Sequence, residues 1–159
     1  MLNALEQAKN ATNMNEVPIG CVFIYNNEII ASENNLVNLT KNPTRHAEII
    51  CIDKTIDYCR KNNKNQKEYF NEVTVIVTCE PCIMCAAALN QLNVKEIIYG
   101  CKNDRFGGST VINVDEILKN KIKVTGGVRE TEAMELLKKF YKGENLLAPV
   151  PKLKKQKIN

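Results

Sequence analysis

Leu2, Leu5, Ala8 and Ala11 recur at every third position through Met1–Asn13 with polar residues between them, a spacing that predicts a helix burying one narrow face. Val17 to Tyr25 is apolar and branched, Asn26-Asn27 offers a tight turn, and Glu28 to Ala31 turns apolar again, so a β-hairpin follows the helix. Asn34 to Thr44 is polar with Pro43 near its end, which predicts an irregular loop leading into a helix that begins close to Arg45. That helix carries Ile49, Ile50, Ile52 and Ile56. Arg60 to Lys67 is almost entirely Lys, Asn and Gln, a composition that buries no face and predicts an exposed loop.

Val73 to Thr78 has the alternation of a strand and stops at Cys79-Glu80-Pro81. Cys82 to Leu92, rich in Ala, Met and Leu, then predicts a helix. Glu96–Tyr99 and Lys121–Thr125 read as further strands, Asp104–Ser109 as a glycine-containing loop, and Arg129–Tyr141 as an amphipathic helix. Strands alternating with helices imply an α/β fold, a three-layer α/β/α sandwich.

Composition narrows this to one unit. A chain of 159 residues with 44% hydrophobic residues sustains one core, expected over residues 1–148, with a basic tail over 149–159. There is neither a run of eighteen apolar residues nor a basic-then-apolar leader, so an intracellular protein off the membrane is expected, in cytoplasm or nucleus. Seven cysteines in that setting indicate metal ligands or buried thiols rather than disulfides. The formal charge is +4, and Lys152, Lys154, Lys155 and Lys157 concentrate positive charge near the C-terminus. Such a tail is a solvated end or an electrostatic contact for a polyanion such as RNA.

One histidine is present, His46, in Thr44-Arg45-His46-Ala47-Glu48 at the predicted start of a helix. Pro81-Cys82-Ile83-Met84-Cys85 opens a second helix. Taken alone, a histidine there is a cap or core residue, and a Cys-x-x-Cys is a redox pair or half of a structural site. Together, His46, Cys82 and Cys85 form a three-ligand zinc set, one ion per chain, and three protein ligands leave a position for water. Helix N-termini favour thiolates, and Glu48, two residues from His46, is placed to move protons to and from that water. The His-x-Glu plus Pro-Cys-x-x-Cys pair resembles the signature of the zinc base deaminases. Cys21, Cys51, Cys59, Cys79 and Cys101 show no such pattern and read as small buried hydrophobes.

Val17-Pro18-Ile19-Gly20, Asn35, Pro43 to Glu48 and Thr78 to Cys85 resemble the tRNA adenosine deaminase branch of the cytidine deaminase-like superfamily. Asn103 to Gly108, Thr125 to Ala148 and the lysine-rich end are similar to the catalytic subunits of its eukaryotic heterodimeric wobble adenosine-to-inosine members. The resemblance implies a five-stranded mixed sheet, one zinc, and hydrolysis of adenosine to inosine at the wobble position of tRNA anticodons. It implies the tRNA anticodon arm as a partner, together with a related non-catalytic subunit or a second copy in a homodimer. By position it makes Asn35 a contact to the target nucleoside, Ile19 an apolar wall of the base pocket, and Ala47 a backbone contact to the base. From the residues alone, Asn35 is a turn residue and Ile19 ordinary core. Arg105 and the four tail lysines are the expected RNA contacts. The alternative is a deaminase of a free base, nucleoside or nucleotide of the guanine, cytosine or deoxycytidylate type. A non-catalytic zinc subunit would lack the carboxylate that Glu48 supplies.

Overall fold

The computed structural model describes residues 1–143; the expected 148/149 boundary and all four tail lysines lie outside the described residues. Helix α1 spans Leu2–Asn13 and buries Leu5, Ala8 and Ala11 of the expected stripe together with Ala4, whereas Leu2, in the first turn, is 64% exposed. Strands β1 (Gly20–Tyr25) and β2 (Glu28–Asn34) form the hairpin, with Asn26 and Asn27 both at positive φ in its two-residue turn. Helix α3 (Ala47–Lys61), strand β3 (Thr74–Cys79), helix α5 (Ile83–Gln91), strand β4 (Glu96–Cys101), strand β5 (Lys123–Thr125) and helix α7 (Glu130–Lys142) follow as the periodicity predicts.

The sheet order is β2-β1-β3-β4-β5. β1 is antiparallel to β2 and β3, whereas β3-β4 and β4-β5 are parallel, so the five strands form the expected mixed sheet. Cys21, Phe23, Val75, Val77, Ile97 and Tyr99 meet Cys51, Ile52 and Leu89 of α3 and α5 in the larger core cluster. Leu5 of α1 and Ala133 of α7 join Cys79 and Cys101 in a second cluster. Helices α1 and α7 also pack on each other, which completes the α/β/α layering. Gly20 allows α1 to lie directly on β1: a Cβ there would sit 2.0 Å from the Ala4 carbonyl oxygen and 2.6 Å from the Ala8 nitrogen.

Three short helices depart from the sequence expectation. The segment expected as an irregular loop contains α2 (Val37–Thr40), where the buried Glu16 carboxylate accepts from the Leu39 N–H at 2.6 Å. The Lys/Asn/Gln stretch ends not in open loop but at α4 (Gln66–Phe70), capped by the Asn65 side chain and anchored by buried Tyr69 and Phe70. α6 (Val114–Leu118) is capped by Asn113, and its Asp115 accepts from Asn90 Nδ2 at 2.7 Å and from the Ile122 N–H at 3.0 Å. Among the described residues no helix is long and apolar enough to cross a membrane.

Candidate metal centre and active site

His46 is the N-cap of α3 and Cys82 the N-cap of α5, so two helices start at one point at the end of the sheet where β3 terminates. This follows from the βα order: β3 delivers the chain to Pro81, and α5 must begin there to return across the sheet. Cys85 sits one turn into α5 and converges on the same point, as a three-residue spacing permits. His46 Nδ1 lies 3.5 Å from both Cys82 Sγ and Cys85 Sγ. The three donor atoms all lie within 4.8 Å of one another.

The electrostatics suit a cation. The Cys85 thiol donates toward Cys82, His46 is close, and the Cys85 backbone N–H adds to them; Cys82 is held down at about 4 against the desolvation that opposes it. Cys85 is pushed the other way, first by that same hydrogen bond and then by burial. Cys82 thus favours the thiolate and Cys85 the thiol, whose proton a bound metal would displace. The hydrogen bond to Cys82 raises His46. One imidazole and two thiols, one already favoured as thiolate, match the nitrogen and sulfur donors zinc prefers.

Glu48 stands in the first turn of α3, only 3% exposed. Burial raises its proton affinity above that of an ordinary carboxylate, and the Cys82 charge adds to this, while its own backbone N–H and His46 act in the opposite sense. Ala47, wholly buried, separates it from His46. A buried carboxyl with raised proton affinity, one residue beyond the buried Ala47 and in the first turn of α3, is suited to proton transfer.

The structure brings other expected residues to this end of the molecule. Asn35 is 3% exposed; its N–H donates to the Ile19 carbonyl at 3.1 Å, and the next residue, Leu36, donates to the Arg45 carbonyl at 3.0 Å. Ile19 is half-buried and packs against both core clusters. Arg105 is exposed on the loop between β4 and α6. Cys21, Cys51, Cys59, Cys79 and Cys101 are all buried, in line with their reading as small hydrophobes. Two open grooves, of about 420 Å³ along α3 from Arg45 to Arg60 and about 530 Å³ between the Asn26 turn and α4, are lined by neither His46 nor the two cysteines.

Two acids went unnoticed in the sequence. Glu16, wholly buried, accepts from Asn35 Nδ2 at 3.2 Å through Oε2 while Oε1 takes the Leu39 N–H, so it fixes how the Asn35 amide is turned. Glu80, 2% exposed, accepts from the Asn103, Ser109 and Thr110 N–H groups and the Thr110 hydroxyl at 2.7–3.0 Å. Only its seat beside Pro81-Cys82 hinted at a role.

Residues 1–101 match the family model of the cytidine and deoxycytidylate deaminase zinc-binding region. The chain is 48% identical to tRNA-specific adenosine deaminase 2 of Danio rerio, over all of this chain and 77% of that protein. It is 41% identical to tRNA-specific adenosine deaminase subunit tad2 of Schizosaccharomyces pombe, over 98% of this chain and 39% of that one. A solved structure from work on A-to-I editing by tRNA:A34 deaminases at the wobble position of transfer RNA superposes with a TM-score of 0.75 at 28% identity, covering 86% of this chain and 97% of the other. A guanine deaminase from Nitrosomonas europaea shares the fold, with a TM-score of 0.71 at 20% identity over 88% of this chain and 81% of its own.

Proposed function

Because the chain belongs to the cytidine and deoxycytidylate deaminase zinc-binding family, in its tRNA-specific adenosine deaminase branch, we propose that it converts adenosine to inosine at the wobble position of tRNA anticodons. The observation that carries the reading is the convergence of His46, Cys82 and Cys85 beside a buried carboxylate, in a chain nearly half identical to tRNA deaminases.

His46, Cys82 and Cys85 would hold the zinc, which would lower the pKa of a water toward ~7. Glu48 takes a proton from the nucleophilic water and delivers one to the departing amine, so that adenosine and water give inosine and ammonia. Its burial keeps the carboxylate free of bulk water and raises its basicity to suit both halves of that task. The Ala47 backbone and Ile19 frame the base, and Asn35, held by Glu16, contacts the nucleoside. Arg105 and the tail lysines Lys152, Lys154, Lys155 and Lys157 provide sequence-independent phosphate contacts to the anticodon arm. A related, catalytically silent subunit completes the functional enzyme.

The test offers an unmodified anticodon stem-loop with adenosine at the wobble position, and separately free adenosine, cytidine, guanine and deoxycytidylate, to the chain alone and co-expressed with a related subunit. Inosine in the stem-loop is expected. Turnover of free compounds only would replace this reading with the small-molecule one.

A further inference from the structure

Residues 103–110 form a loop whose tip exposes Arg105 and Phe106, the phenyl-bearing residue being 62% exposed. An exposed loop tip ordinarily moves, and ordering it on binding costs free energy. This one is held from within. Glu80 reaches under it and accepts four hydrogen bonds: Oε2 from the Asn103 N–H at 3.0 Å and the Thr110 hydroxyl at 2.7 Å, Oε1 from the N–H groups of Ser109 at 3.0 Å and Thr110 at 2.8 Å. Donation by these groups holds the Glu80 carboxyl below the usual carboxylate range despite burial. The loop is also stitched to the metal-binding turn: Ile83 N–H donates to the Phe106 carbonyl at 2.8 Å, Gly108 N–H to the Pro81 carbonyl at 2.9 Å, and Gly107 forms an isolated bridge with Cys82. Gly107 is required by this closeness, since a Cβ there would stand 2.6 Å from Glu80 Oε1 and from the Asn103 carbonyl oxygen.

We propose that Phe106 is a stacking platform for a nucleobase adjacent to the target adenosine, and that Glu80 is the positioning residue that fixes this platform against the start of the zinc-ligand helix. The inference rests on the reading of the substrate as an anticodon loop. An adenosine turned out of its stack leaves a neighbouring base without a partner, and an aromatic face serves any base because every base has a π-face. Phe106 precedes the residue bridged to Cys82, so the platform lies beside the metal centre. Arg105 next to it is exposed and offers a cation to the RNA backbone. Preordering by Glu80 means that the aromatic face is in place before RNA arrives, which preserves affinity that a mobile tip would lose.

The test measures kcat and KM with zinc content for the protein, co-expressed with its related subunit, on stem-loops with all bases present and with an abasic site immediately 5′ or 3′ of the target. Phe106→Ala is expected to retain one zinc and to raise KM roughly 5- to 150-fold, the range for one lost base stack, with kcat changed far less. On one of the two abasic stem-loops the penalty should vanish, and Phe106→Trp should restore wild-type KM on the intact one. Glu80→Gln keeps an acceptor for Ser109 and Thr110 but faces the Asn103 N–H with a donor; in that background Phe106→Ala should cost less than in the wild type. A Phe106→Ala penalty equal on all stem-loops, or no penalty, overturns the platform. Undiminished Phe106→Ala cost beside Glu80→Gln overturns the positioning role. Failure of the wild type to form any inosine overturns instead the substrate reading on which the inference stands.

Discussion

His46 and Glu48 are two residues apart at the start of α3, and the proposed function gives them separate tasks that substitution can separate. Glu48→Ala leaves all three donor atoms in place, so the protein should retain one zinc per chain while deamination falls by ~100-fold or more, the loss typical of a missing general acid/base. Metal analysis beside an inosine assay reads both; a variant with near-full turnover, or without zinc, would remove Glu48 from the role. Cys82→Ala and Cys85→Ala should lose metal and activity together, since two protein donors hold zinc poorly. Cys51→Ala, a buried thiol in the core cluster, should keep its zinc and cost only about 1–2 kcal/mol in denaturant unfolding. The candidate metal-binding set was legible in the sequence because the chain has one histidine and only one pair of cysteines spaced by a helical turn at a helix start, and the structure brings those three donors together. Glu16 and Glu80 were not, because a carboxylate is by default a solvated group. Their burial is created by segments 19–30 residues away in the chain that fold over them.

At the scale of elements, the long helices and all five strands follow from hydrophobic period, and the three missed helices share a physical reason. α2, α4 and α6 have four or five residues, too few for a 3.6-residue period to repeat; Asn65 and Asn113 cap α4 and α6, while in α2 the distant Glu16 carboxylate accepts from the Leu39 N–H. Asn65 accepts from the Lys67 and Glu68 N–H groups, so Asn65→Ala should destabilise the fold by ~1 kcal/mol without altering zinc content, read as a shift in the urea midpoint at constant slope. Gly20→Ala tests the packing of α1 on the sheet. Its methyl group meets backbone atoms of α1 that have no flexible end to yield, so a loss of more than ~3 kcal/mol is expected, with the layer displaced. A midpoint unchanged by Gly20→Ala would mean that α1 does not lie on β1 in solution as it does here.

For the whole molecule, the α/β/α layering was legible because strand and helix periods alternate, whereas the antiparallel β1-β3 neighbour relation was not, since periodicity carries no pairing information. The sheet order matters for function: placing β3 beside β1 brings the Ile19–Asn35 region to the end where α3 and α5 begin. The two helix starts carry the three donors proposed to hold zinc, so chelation should lower thermal stability and zinc should restore it, a linkage visible in Tm against free zinc. Removing residues 152–159 should weaken RNA binding equally across tRNAs and flatten its salt dependence, because four lysines release counterions without reading bases. Equal salt slopes with and without those residues would return them to a solvated end.

The central claim joins one zinc, one carboxylate and one RNA adenosine, and it is tested most directly by titrating zinc back into reduced, metal-stripped protein and measuring inosine at the wobble position of unmodified tRNA. With the related subunit present, inosine should rise in proportion to bound zinc and saturate at one ion per chain. A fully zinc-loaded protein that leaves the wobble adenosine unchanged, or inosine formation that is independent of metal, would contradict the account.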